Sequence, residues 1–393
     1  MRQNSLGGRR AVAAMCCAAL FLFAVYLGAI GVFLPVLGKA FGLGPAVQGR
    51  VFPANFGGFI VGVLLCGYLS DRMGRKRVLQ GAMALFALAL GLAGISHSFG
   101  WVLVAFALIG AGGGAMETVA SALAADLFPE KRAAILNTIQ VAFGAGAVVS
   151  PLLAHRLLAA GTDWHTLFLA ASLANFVLLA ALSALAVPKV AHDSEALDGA
   201  ALRRIIKQPV FLALCGCQAL YVGAETGLSS WLPSYFDRLP HGAAWAGLVV
   251  SAFWAAMTLG RAVVGGGVRG LSLPRLAGGL AVGGATMAAL TLVPNTPGLV
   301  LLGVLGTGLF FSGIFGLVLA ESGERFPRSS GTVFGAVVAA GGVGGAGVPW
   351  AIGELTGPWG WHGALALVPA AAALLAVLLL VLDRCGGNRT ASV

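Results

Sequence analysis

Long apolar runs, each about as long as a bilayer is thick, constrain this chain more than any other feature. They fall at about 11–35, 47–69, 78–96, 101–125, 134–155, 164–187, 209–233, 243–267, 273–293, 298–320, 331–353 and 361–382. Crossing the hydrocarbon core takes about 20 apolar residues in helical form. A backbone in oil must also satisfy its own hydrogen bonds, which for single segments means α-helix. Twelve such spans and their loops use nearly all of the 393 residues. The expected fold is therefore an all-α membrane protein with little room for a soluble domain. Only 10% of residues are charged, against roughly 25% in soluble proteins. The first run lacks a convincing cleavage site and continues to Leu34, so it is expected to be a retained helix.

Orientation follows from the basic residues. Nineteen of the 24 Lys and Arg fall in segments on the side of the two termini, four fall on the opposite side, and Arg261 lies inside a span. Positive charge collects in the cytoplasm, so both termini are expected there, in the cell (inner) membrane. The net charge of +10 is spread over inter-helix loops rather than gathered in one domain, which speaks against nucleic acid. Trp101, Trp164, Trp231, Trp245, Trp350, Trp359 and Trp361 fall near predicted outer ends, as an aromatic belt requires, and only Trp254 is mid-span. The six cysteines show neither disulfide nor zinc spacing.

The longest polar segment, Pro188 to Gln208, lies at the midpoint. It separates an expected six-helix bundle at 1–187 from a second at 209–393, with 188–208 as a cytoplasmic linker. It either lies along the membrane surface or is simply a solvated connection. The halves repeat at an offset of 197–198 residues: Leu34-Pro35 with Leu232-Pro233, Arg72 with Arg269, Asp126-x-Phe128-Pro129 with Glu324-x-Phe326-Pro327, and Trp164-His165 with Trp361-His362. Two pseudo-symmetric bundles are expected.

Between the second and third runs stands Gly67-Tyr68-Leu69-Ser70-Asp71-Arg72-Met73-Gly74-Arg75-Lys76-Arg77. Nothing so polar can lie in hydrocarbon, so it must be a tight surface loop. Gly67 allows close packing, Gly74 a sharp turn, and Asp71 can accept hydrogen bonds from a neighbouring helix end. The stretch resembles the loop signature G-x-x-x-D-R-x-G-R-[RK]-[RK] between helices 2 and 3 of the major facilitator superfamily. That resemblance covers the whole chain and implies transport by alternating access. Gly67, Asp71, Arg72, Gly74 and Arg75 would then serve gating, Asp71 and Arg75 as latches bonding across the two halves. Arg261, after Gly260 in the eighth span, reads as an anchor of the inner gate.

Buried charge costs about 2.5–3.5 kcal/mol or more at mid-bilayer, so intramembrane acids point to function. Two lie well inside spans: Glu117, after Gly110, Gly112, Gly113 and Gly114, and Glu225 in Gly223-Ala224-Glu225-Thr226-Gly227. Each either carries a proton or bonds a neighbouring helix. The glycines beside Glu117 are expected to thin the helix and open space. Asn137 and Gln140 share one helical face and suit either sugar-like hydroxyls or helix–helix hydrogen bonds. Tyr221 and Trp231 could stack on a sugar ring, Trp231 being equally a belt residue, and Asn55 is a weaker cavity candidate. Gly341-Gly342-x-Gly344-Gly345 reads as close packing, because no strand precedes it to make a phosphate cradle.

Gly113-Gly114-Ala115-Met116-Glu117-Thr118 and Leu136-Asn137-x-x-Gln140 are similar to helices 4 and 5 of the fucose–galactose–glucose:proton symporter family. Residues 223–227 with Trp231-Leu232-Pro233 are similar to helix 7 of its glucose-type members. The resemblance implies proton coupling at Glu117 and sugar contact from the fourth, fifth and seventh helices. The chain departs from it at Gly31, where fucose-type members carry an acid. Ser150-Pro151 stands where antiporters usually have Gly-Pro, and the fourth span lacks the arginine of drug antiporters. The expected function is proton-coupled transport of a sugar-like solute, with Glu117 and Glu225 as proton sites and Asn137, Gln140, Tyr221, Trp231 and Asn55 facing solute. A proton-driven exporter of drugs or metabolites is the alternative, and a non-transporting sensor a third. No Walker motif, metal cluster or nucleophile triad suggests an enzyme, a cofactor or a metal. The expected partners are solute, protons and lipid, with a monomer as the working unit.

Overall fold

Helices account for the regular structure of a computed structural model, which describes residues 6–186, 205–239, 242, 245–265, 271–293, 297–327 and 330–386. The first six long helices are α1 (Leu6–Phe41), α2 (Val51–Met73), α3 (Arg75–Gly94), α4 (Phe99–Leu127), α5 (Arg132–Ala159) and α6 (Trp164–Ala184). The second six are α7 (Pro209–Phe236), α8 (Ala246–Gly265), α9 (Leu273–Leu290), α10 in two pieces (Pro297–Phe311 and Ile314–Arg325), α11 (Ser330–Leu365) and α12 (Leu367–Gly386). Among the described residues eleven segments are long and apolar enough to cross a membrane. The other expected span, α8, is the shorter apolar helix Ala246–Arg261. Its apolar stretch ends at the one charged side chain it carries.

Residue contacts divide the chain into two units, Met1–Gly44 with Arg50–Ser194, and Pro45–Gly49 with Glu195–Val393. The one-turn helix Pro45–Gln48 belongs to the second unit, where it lies against α11. Most of the predicted linker, 188–204, lies outside the described residues, as does Arg269. Within the first unit the main pairings are α2 with α4, α1 with α5, α3 with α4 and α3 with α6. The second unit repeats them as α8 with α10, α7 with α11, α9 with α10 and α9 with α12.

The repeat extends to individual glycines. A Cβ added at Gly146 would overlap the Phe21 carbonyl in the first unit, and one at Gly344 would overlap the Ala219 carbonyl in the second. Both members of each pair are 198 residues apart. Gly110 against the Asn55 carbonyl likewise corresponds to Gly308 against that of Phe253. Prolines inside helices recur in the same register, Pro35 with Pro233 and Pro151 with Pro349. In oil no hydrophobic drive separates helix from lipid, so small residues that let backbones approach supply the packing.

Two helix boundaries carry information. Gly74 stands between α2 and α3 with φ 81°, a conformation that favours glycine, and its N–H reaches Ser70 O at 3.0 Å. The eleventh helix runs past the expected end at 353, because the connection to α12 is itself helical until Gly360 takes φ 67°. The outward faces are apolar, as lipid contact requires: Leu173, Val177, Leu259 and Val263 are all exposed. Trp101, Trp245, Trp350 and Trp359 are exposed too, whereas Trp164 and Trp231, expected in the belt, are buried.

Candidate functional site

In the first unit Glu117 is half-buried on α4. The glycines beside it do not open space. A Cβ at Gly113 would strike the Phe23 ring, at Gly112 the Phe86 backbone 2.8 Å away, and at Gly114 the Phe59 carbonyl at 2.5 Å. They are filled from α1, α2 and α3 instead, because a missing side chain is an invitation to a neighbouring ring. On α5, Asn137 is exposed and Gln140 half-buried.

Asn55 is committed to packing. Its Nδ2 donates to Tyr26 Oη at 2.9 Å and to Phe106 O at 3.2 Å, tying α2 to α1 and α4. Asn55→Ala is expected to lower stability by about 1–3 kcal/mol, the cost of stranding buried polar groups, with the solute KM unchanged. A tenfold rise in KM at unchanged thermal stability would return Asn55 to the solute site. Trp231 is also structural: it is fully buried, donates from Nε1 to Pro349 O at 2.8 Å and meets Trp361 edge-on at 5.7 Å.

Arg75, expected as a latch across the halves, makes an ion pair within its own unit. Its Nε pairs with Asp126 Oδ2 at 2.7 Å, inside the first unit. Arg75 opens α3 and Asp126 closes α4, so each charge opposes its own helix dipole and the pair neutralises both. Lys76 donates to Leu185 O at 2.6 Å and Ser183 O at 3.3 Å, supplying donors to the end of α6. Arg275 performs a related task in the second unit, pairing with Asp383 of α12 at 2.8 Å. Arg72 is exposed, and the surroundings of Gly67 and the side chain of Asp71 lie outside what is described.

The second unit gathers the polar groups that matter most. Glu225, 8% exposed, lies one turn from Tyr221 on α7, about 16 Å along the helix from Phe236. Arg261 of α8 acts electrostatically on both, and the Tyr221 hydroxyl lies in reach of the two charged groups. Among the described residues no direct ion pair joins Glu225 to Arg261, whose Nη2 contacts Met257 Sδ at 3.4 Å. Arg261, expected as an anchor of the inner gate, thus also acts on the acid.

Tyr221 is held between Phe311 at 5.9 Å and Phe315 at 6.2 Å, the rings on either side of the break in α10. At the break, Ser312-Gly313, the Ser312 side chain packs with the Leu309 carbonyl against Gly260, next to Arg261. Irregular backbone at membrane depth persists only where protein or a watery cavity covers it. Two residues had no assigned role in the sequence. Gln218 is wholly buried, with neither amide atom hydrogen-bonded, and Trp254, 5% exposed, has an unpartnered Nε1. The Tyr221 hydroxyl also lacks a hydrogen bond of good geometry. A signal was present: Gln218, Tyr221 and Glu225 follow helical spacing on one face, and Trp254 is seven residues from Arg261.

The sequence model of the Major Facilitator Superfamily matches residues 15–349. Multidrug resistance protein 3 of Bacillus subtilis is 33% identical over 110 residues, 28% of this chain and 21% of that protein. The 4-hydroxybenzoate transporter PcaK of Acinetobacter baylyi is 29% identical over 170 residues, 43% of this chain and 37% of that protein. The match thus spans well under half the length of either relative. A bacterial homologue of the human lysosomal transporter Spinster, solved in an inward-facing and occupied conformation, superposes with TM-score 0.78 at 14% identity, over 97% of this chain and 98% of that one. A D-xylose–proton symporter does so with TM-score 0.75 at 18% identity, over 94% and 96%. At those identities the likeness is one of fold.

Proposed function

Since the chain belongs to the Major Facilitator Superfamily, we propose that it is a secondary active transporter that moves a small polar solute by alternating access and couples that movement to protons. It works as a monomer in the cell membrane, with both termini in the cytoplasm. One observation carries the coupling: Glu225 is buried inside a membrane helix with an arginine acting on it and, among the described residues, no direct ion pair to hold it ionised. A carboxylate in oil is retained where its proton is used. Glu117, half-buried on α4, is a second site on the path of that same coupled proton, and Gln140 and Asn137 contribute to the solute path.

The sugar-like solute rests on the resemblance of α4, α5 and α7 and on a fold shared with a D-xylose–proton symporter. The exporter reading draws on the relative named for multidrug resistance. Uptake of labelled solutes into proteoliposomes under an imposed pH gradient tests the proposal, and rescue of a drug-sensitive efflux-deficient host tests the exporter. Glu117→Gln is expected to cut concentrative uptake by about tenfold for a one-unit gradient, the worth of one coupled proton. Full accumulation by that variant would remove Glu117 from the coupling path. Absence of flux for every solute would favour a sensor.

A further inference from the structure

The geometry points to a small organic anion as the solute, a monocarboxylate with an apolar or aromatic body, taken by Arg261 while Glu225 carries the proton. This rests on the transporter reading above and goes beyond it by naming the solute's charge. Glu225 and Arg261 are the only charged residues of α7 and α8. When both are ionised the pair is neutral overall. Protonation of Glu225 leaves the Arg261 cation without its counter-charge in a low-dielectric interior, where an unpaired charge is strongly disfavoured. A carboxylate restores neutrality; a sugar does not.

Unpartnered groups on the same two helices argue the same way. Among the described residues the Gln218 amide nitrogen and Trp254 Nε1 are donors without a hydrogen-bond partner, and the Tyr221 hydroxyl has none of good geometry. Arg261 adds a planar fork of donors that fits a carboxylate in bidentate fashion. Against these stand the Gln218 Oε1 and, near the other end of α7, the Ser234 hydroxyl. A site so rich in donors suits an acceptor with no protons of its own to place. Phe311 and Phe315, packed on Tyr221, and Phe253, edge-on to Trp254 at 5.6 Å, supply an aromatic wall for the solute's body.

Among the described residues no further charge competes for the site. On α10 Glu321 is paired with Arg325, on α11 Glu354 is exposed, and on α12 Asp383 is held by Arg275. Tyr221 and Arg261 are the two groups that act on Glu225. One cycle therefore moves one proton and one carboxylate with no net charge, which a proton–sugar cycle cannot do.

Purified protein in liposomes separates the two. The probes are labelled nicotinate and D-xylose, with rates taken above protein-free vesicles to remove passive entry of the neutral acid. Nicotinate is expected to accumulate about tenfold under a one-unit, inside-alkaline pH gradient clamped at zero potential. It should show no response to an inside-negative potential without a pH gradient. Arg261→Gln should lose at least tenfold of this uptake and Arg261→Lys should recover part of it, with both variants eluting as the wild type does on size exclusion. Nicotinate should raise the melting temperature of the wild type and not of Arg261→Gln, which separates loss of binding from loss of folding. D-Xylose accumulation that responds to potential, or undiminished nicotinate uptake by Arg261→Gln, overturns the carboxylate while leaving the transporter standing. No protein-dependent flux of either probe, together with none across a wider solute panel, overturns both.

Discussion

Glu225→Gln is expected to fold, bind solute and exchange it across the membrane, yet fail to concentrate it. Glutamine keeps the shape of the side chain and leaves its amide one turn from the Tyr221 hydroxyl. What disappears is the ability to exist in two charge states. The wild type gains about tenfold accumulation per coupled proton and per pH unit of gradient, whereas the variant should equilibrate its solute and stop. Its solute affinity should also become independent of pH. In the wild type, affinity should rise as pH falls, because protonation of Glu225 is what frees Arg261. The variant is fixed in the protonated-like form, so it should bind well at every pH and move the anion as an uncompensated charge. Counterflow measured beside pH-driven uptake reads both effects in one preparation. Retention of full pH-driven accumulation would exclude Glu225 from coupling.

Sequence reasoning reached the helices because oil leaves the backbone no other choice, and the two-fold repeat because prolines and loop charges mark its register. It could not reach side-chain direction. Gly110, Gly112, Gly113 and Gly114 looked like a hollow beside Glu117, yet the carbonyl of Asn55, the backbone of Phe86 and the Phe23 and Phe59 residues occupy those places. A glycine states that something comes close and leaves open what comes. Arg75 fits a latch by composition, but Gly74 turns the chain so that Arg75 meets Asp126 of its own unit. Read from the sequence, Glu225 and Arg261 belong to separate tasks, coupling and gating. Their electrostatic link runs through the packing of α7 on α8, which no spacing in the sequence records. The break in α10 was equally hidden, since Ser312-Gly313 holds no proline to announce it.

The crossing of α7 and α11 provides the most severe test of the fold. At Gly344 the added methyl of alanine would overlap the carbonyl oxygen of Ala219, and that oxygen belongs to a hydrogen-bonded helix that cannot swing aside as a side chain could. The helices must separate, which loosens Gly223 from Val348 and Gly341 from Gln218 along the same seam. Gly344→Ala is expected to cost about 1–3 kcal/mol from overpacking, and Gly344→Leu to yield no monodisperse protein. Gly347, three residues on, is the internal control, because nothing lies within 4 Å of the Cβ it lacks. There alanine should be neutral or stabilising by up to about 1 kcal/mol, since glycine weakens a helix interior. Helix propensity favours alanine equally at both positions, so a difference in melting between the two variants isolates the crossing. The register adds a second demand: Gly146, which precedes Gly344 by 198 residues and meets the Phe21 carbonyl, should respond as Gly344 does. Gly344→Ala melting with the wild type would mean that the α7–α11 approach is looser than described, and with it the placement of Glu225, which α7 carries.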